Sequence, residues 1–180
     1  MRNGANFDLR KLIVFACLLL SGACTKPAAN SKQATAPTND KPPQIASTSV
    51  VKVTPEELTI AKGASGDAIV HVQIQNGYHI NANPPSFSYL KATELELKPA
   101  NGLSVAFVTY PDPLTKTFSF ADAPLKVYEG DTLVKAKLKA APSAETGKHN
   151  LSAKLRVQAC DDQVCYAPGT IDLTIPVAIK

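Results

Sequence analysis

The stretch Asp67-Ala-Ile-Val-His-Val-Gln-Ile-Gln75, closed by Asn76-Gly77, decides the fold class. Ala68, Val70, Val72 and Ile74 fall on one face of an extended chain, and Asp67, His71, Gln73 and Gln75 on the other. That period of two marks a strand buried on one side, and Asn-Gly is a strong turn dipeptide. Moving outward, the same alternation recurs at Thr93–Lys98 and Thr132–Lys139. Leu103–Thr109, His149–Gln158 and Thr170–Val177 complete the set, and Val50–Val53 adds an edge. Turn chemistry separates the runs at Pro84-Pro85, Pro99-Ala-Asn-Gly102, Pro111-Asp-Pro113 and Glu129-Gly130-Asp131. No segment carries an amphipathic helix longer than about two turns. About seven short strands with such punctuation predict an all-β chain, an immunoglobulin-like β-sandwich. With Trp absent and only six Phe and five Tyr, the core must be built from Val, Leu, Ile and Ala.

Upstream of this pattern the composition changes twice. Arg2, Arg10 and Lys11 precede an unbroken apolar run, Leu12–Leu20, and the small residues Ser21-Gly22-Ala23 lead to Cys24. This order predicts an export signal over residues 1–24. Its apolar run falls well short of the roughly 20 residues that cross a bilayer. Leu20-Ser-Gly-Ala-Cys24 resembles a bacterial lipobox, which implies that Cys24 is lipidated and holds the protein on the periplasmic side of a bacterial membrane. Ordinary signal cleavage, leaving the chain secreted to the periplasm, is the alternative. Residues 25–48 are Pro, Ala, Thr, Asn, Ser, Gln and Lys with almost no large apolar side chain, and are expected to form a disordered tether. Residues 49–180 then make one domain of ordinary size. The net charge of +4 belongs to the leader and tether, where six Lys/Arg face two acids, leaving 13 of each sign in the domain. A neutral domain carries no electrostatic footprint for nucleic acid.

Cys160 and Cys165 are the only thiols left once the leader is processed and Cys24 lipidated. A bridge between them closes a small ring, for which the chain-entropy model allows only about 2 kcal/mol. A staple for a β-domain would join residues far apart in sequence, so a working redox pair competes with a structural one. If residues 161–164 form a hairpin loop, the two cysteines oppose each other with Cα atoms roughly 4.5–5.5 Å apart, within bridging range. Asp161 and Asp162 lie between them, and no Lys or Arg does. Like charge disfavours a thiolate, so the thiol pKa values are expected at or above the free value of about 8.5. A structural hairpin disulfide stays open as the plain alternative. Metal ligation is disfavoured, because the pair supplies two ligands and His71, His79 and His149 are scattered. A Cys-His hydrolase lacks both a polarised cysteine and an oxyanion hole.

Three stretches together resemble a known family: Gly77-Tyr-His-Ile-Asn-Ala-Asn-Pro-Pro85, Tyr89-Leu-Lys-Ala-Thr-Glu-Leu-Glu-Leu97, and Gln158-Ala-Cys-Asp-Asp-Gln-Val-Cys165 with Pro168. They are similar to the N-terminal periplasmic domain of the thiol:disulfide interchange protein DsbD, over about Val50 to Val177. The resemblance implies an immunoglobulin-like domain acting as a protein-disulfide reductase-type electron shuttle. A membrane thiol donor, here a separate protein, reduces the domain's disulfide. The dithiol then reduces periplasmic thioredoxin-fold partners, which serve disulfide isomerisation and cytochrome c maturation. By the same resemblance Cys165 attacks the partner's disulfide and Cys160 resolves the mixed disulfide. It further implies a cap over the sulfurs, for which Thr117-Phe118-Ser119-Phe120 is the candidate, with Tyr78 and Tyr166 lining the same surface. No cofactor and no metal is implied. Tyr166-Ala167-Pro168 departs from the Pro-Pro that often follows the second cysteine. A non-catalytic immunoglobulin-like binding module with a structural hairpin disulfide is the competing reading.

Overall fold

The computed structural model describes residues 45–180; the expected leader, Cys24 and the tether up to residue 44 lie outside the described residues. A single 3-10 turn at Ser47–Val50 precedes the strands. These are β1 (Val51–Pro55), β2 (Leu58–Ile60), β3 (Ser65–Ile74), β4 (His79–Asn81), β5 (Glu94–Leu97) and β6 (Leu103–Thr109). They continue with β7 (Leu114–Lys116), β8 (Leu125–Tyr128), β9 (Asp131–Ala140), β10 (Gly147–Val157), β11 (Ala159–Cys160) and β12 (Gly169–Ile179).

Two four-stranded sheets, ordered β1-β3-β9-β6 and β2-β12-β10-β5, share one apolar core. Ala68, Val70, Val72 and Ile74 of β3 are all buried, as their alternation requires, and Val70 lies opposite Val134 in the antiparallel register with β9. Leu151, Leu155 and Val157 of β10 and Ile175, Val177 and Ile179 of β12 reach the same core from the other sheet. This is the immunoglobulin-like β-sandwich expected from the strand pattern. Its buried cluster is aliphatic, with Tyr128 the exception. β1 sits at an edge, Val51 opposite Ile74. β2 was not expected; it runs parallel to β12 with Leu58 opposite Val177.

A third sheet, β11-β4-β8-β7, was not expected either. Its strands hold two to four residues, too few for alternation to be counted. Alternation of Leu155, Val157 and Ala159 predicts one strand running on to Cys160. The chain instead leaves the second sheet at Gln158, and Ala159–Cys160 pairs with β4. The turns into and out of the third sheet are those the glycines predicted: Gly77, ahead of β4, has φ +84° and Gly130, after β8, φ +62°, backbone that other residues adopt only under strain.

The start of the domain is pinned to the same region. The buried Ser47 hydroxyl donates to the Ala167 carbonyl at 2.6 Å and accepts from the Ala159 N–H at 2.9 Å. Gly169 packs so closely on Thr48 that an added Cβ would lie 2.6 Å from the threonine Cγ2. The domain's contacts therefore start ahead of Ser49, with Ile45 packed against the main core and Ser47 bonded to the cysteine region.

Candidate functional site

Cys160 and Cys165 are joined by a disulfide and form an isolated antiparallel bridge at the neck of a four-residue loop. Their Cα atoms are 3.9 Å apart, closer than the spacing expected of an opposed pair. The pair is of the non-hydrogen-bonded kind, the closer class of antiparallel pair, and on its outer side the Tyr166 N–H donates to the Ala159 carbonyl at 2.8 Å. The loop is closed by the Asp161 N–H donating to the Val164 carbonyl at 3.0 Å. The Asp161 carboxylate turns back into it, accepting from the N–H groups of Gln163 and Val164 at 2.8 Å each and from the Tyr166 hydroxyl. That hydroxyl, then the loop amides, hold the Asp161 carboxyl below its usual range. In return the carboxylate holds the phenol proton and pushes Tyr166 up to about 12.

The register of the short sheet decides what surrounds the sulfurs. Ala159 lies opposite Ile80 and Cys160 opposite His79. Ala159 and Ile80, with Tyr128 opposite Ile80, enter the main core, so Cys160 and His79 project from the other face. A second apolar cluster, Leu90, Phe118, Leu125 and Val127, forms a separate core whose Phe118 meets His79. The Phe118 ring stacks on the imidazole at 4.1 Å, and Phe120 stacks on Phe118 at 5.4 Å. Ser119 between them donates to the Asp162 carbonyl at 3.1 Å, fastening the segment to the cysteine loop. Tyr78 and Tyr166 approach to 6.2 Å on the loop's flank. Beside these lies a cleft of about 420 Å³ lined by Tyr78, His79, Lys116, Glu129 and Asp162 among others. Lys116 Nζ binds the Glu129 carboxylate at 2.6 Å.

The fold thus gathers Cys160, Cys165, Asp161, Asp162, Tyr78, Tyr166, Phe118 and Phe120 into one region; Cys24 lies outside the described residues. Four residues that sequence reasoning passed over belong there too. Lys116 and Glu129 form the cleft wall. Gln158 takes the Asn81 amide at 3.0 Å and the Lys91 N–H at 2.8 Å on its Oε1, and gives its own amide to the Tyr166 carbonyl at 3.2 Å. His79 is the fourth, 1 % exposed. Burial lowers its pKa; Glu129, Asp162 and Asp161 oppose that shift, and Lys116 adds to it. In the sequence it stands only as one of three scattered histidines and inside the Gly77–Pro85 stretch, which is too short to show a period.

A family model described as the N-terminal part of the thiol:disulfide interchange protein DsbD matches residues 48–175. Among solved structures, the reduced N-terminal domain of DsbD from Neisseria meningitidis is 18% identical, with 63% of this chain and 79% of that one covered and a TM-score of 0.43. The N-terminal periplasmic domain of ScsB from Proteus mirabilis is 19% identical, with 69% of this chain but 44% of that one covered, at a TM-score of 0.49. No curated protein matches. With the family model spanning the sandwich into its last strand and both bridged cysteines, this chain belongs to the DsbD N-terminal domain family of thiol:disulfide interchange.

Proposed function

We propose that the domain carries reducing equivalents by reversible opening of the Cys160–Cys165 disulfide. The observation that carries this reading is the unequal exposure of the bridged pair: Cys160 is fully buried, while Cys165 is only half-buried. In the dithiol state the Cys165 thiolate attacks one sulfur of a partner's disulfide and expels the other as a thiolate, forming a mixed disulfide. The Cys160 thiolate then attacks Cys165 Sγ, restores the internal bridge and expels the partner's first sulfur. Two electrons reach the partner, and the two thiol protons of the domain end on the partner's thiols or in water. No cofactor enters. A membrane thiol donor returns the bridge to the dithiol by the same exchange in reverse.

The partners are thioredoxin-fold proteins of the periplasm, among them those of cytochrome c maturation. The domain works on the periplasmic side of the membrane, held by lipid on Cys24. Phe118 and Phe120 act as a cap that must move for Cys165 to be reached, and the Ser119–Asp162 bond is the latch.

The test is the reduction potential of the pair by equilibration with glutathione, together with trapping of oxidised thioredoxin by Cys160→Ser. Exchange pairs fall between about −120 and −270 mV, and structural bridges below about −300 mV. A value in the working range with a trapped mixed disulfide at Cys165 supports the shuttle. A value below −300 mV without trapping leaves a structural bridge in a binding module.

A further inference from the structure

We propose that His79 holds the proton of Cys160, accepting it at Nε2 when Cys160 resolves the mixed disulfide; this rests on the exchange reading above.

Placement comes first. His79 is the residue directly opposite Cys160, and Ile80 and Ala159 beside them are committed to the core. Opposed side chains of an antiparallel pair share a face with Cβ atoms about 4.5–5.5 Å apart. The Phe118 ring lies flat against the imidazole, 18° from parallel, and fixes its plane.

The second observation is an unpaired atom. Nε2 of His79 is sealed from solvent and has no hydrogen-bond partner among the described residues. Buried polar atoms nearly always have a partner, so each exception calls for a reason. In the disulfide form Cys160 has no hydrogen to give. Reduction creates an S–H on the residue opposite, and Nε2 becomes its acceptor with the ring proton on Nδ1.

The chemistry requires such an acceptor. A fully buried thiol resists ionisation, and Cys160 must become a thiolate to attack. The Asp161 carboxylate is occupied by three donors, and Asp162 is exposed on the loop. The charged groups facing His79 are Glu129, Asp162 and Asp161, which favour an imidazolium, and Lys116, which opposes it. Burial keeps the resting ring neutral at neutral pH and able to accept, and the three carboxylates steady the cation once it forms. In the mixed disulfide the Cys160 proton passes to Nε2. The thiolate forms a bond to Cys165 Sγ as the Cys165–partner bond breaks, and the electron pair leaves on the partner's sulfur. That thiolate is protonated by the imidazolium or by water, and His79 returns to neutral.

The experiment mixes the reduced protein with one equivalent of dithiobis(nitrobenzoic acid) in stopped flow. The first coloured thiol reports capture of Cys165, and the second reports resolution by Cys160. In the wild type, the second release should rise with a midpoint below 6.5 and then level off, whereas the first should climb only toward the thiol range. His79→Phe and His79→Gln should both slow the second release by about a hundredfold, abolish that midpoint, and leave the first within about twofold. Rescue by His79→Gln would assign His79 a packing or hydrogen-bonding role and overturn the proposal. Should either variant fail to fold, the wild-type profile decides, and a second release without the low midpoint overturns it. Absence of both releases in folded, reduced wild type would instead sink the exchange reading itself.

Discussion

Asp161 and Asp162 are neighbours of the same charge, and their surroundings give them different work. Asp161 is turned inward as the acceptor for Tyr166 and two loop amides, while Asp162 faces the cleft. From sequence the two acids read alike, as charges that discourage a thiolate, because a bond closing across the loop to Tyr166 leaves no mark in spacing. The Asp161–Tyr166 bond requires an ionised acid and a protonated phenol. Asp161 has a lowered folded pKa, so its contribution is complete above the unfolded value of 3.8 and is lost as pH falls through the folded one. Tyr166 has a raised folded pKa, so its contribution is complete below 10.0 and is lost as pH climbs toward about 12. Ultraviolet titration should therefore find Tyr110 and Tyr128, which burial raises, ionising late, and with them Tyr166. Asp161→Asn should return the Tyr166 phenol toward 10.0. In Asp161→Ala, amide exchange at Gln163 and Val164 should quicken by at least about tenfold, because both lose their acceptor.

Among the elements, the long strands were legible and the short ones were not. The bounds of β6 match the expected Leu103–Thr109, and β3, β9, β10 and β12 lie where alternation placed them. The sheet that carries the site is built from strands below the length at which periodicity speaks, so resemblance, not pattern, pointed to Phe118 and Phe120. Gln158 turns the chain from one sheet into the other and satisfies groups of three segments with one side chain. Gln158→Ala should cost about 1 kcal/mol in urea denaturation, since the part-buried Asn81 amide and Tyr166 carbonyl each lose a partner while the exposed Lys91 N–H turns to water. Phe118→Ala should speed iodoacetamide alkylation of Cys165 in the reduced protein by several-fold. It should also lower stability by about 3 kcal/mol through the hole left between Leu90, Leu125 and Val127. Unchanged alkylation alongside that loss would make Phe118 a core residue and no cap.

For the whole molecule, the disulfide contributes little to the fold that holds it. The bridged residues lie five apart, and the core of β3, β9, β10 and β12 is assembled without them. Reduction should then lower stability by about 2 kcal/mol, moving the calorimetric midpoint by roughly 5–10 °C and leaving one cooperative transition. Leu155→Ala, at the centre of the core, should cost more, about 3 kcal/mol, in either redox state. Unfolding on reduction would contradict both the ledger and the shuttle. The Ser47 hydroxyl grips the backbone on either side of the bridge, at Ala159 and at Ala167. Tension arriving along the chain is therefore shared between Ile45, packed on the sandwich core, and the neck of the cysteine hairpin. The redox centre lies on the load path into the domain, and a pull on the N-terminus is a pull on its hinge.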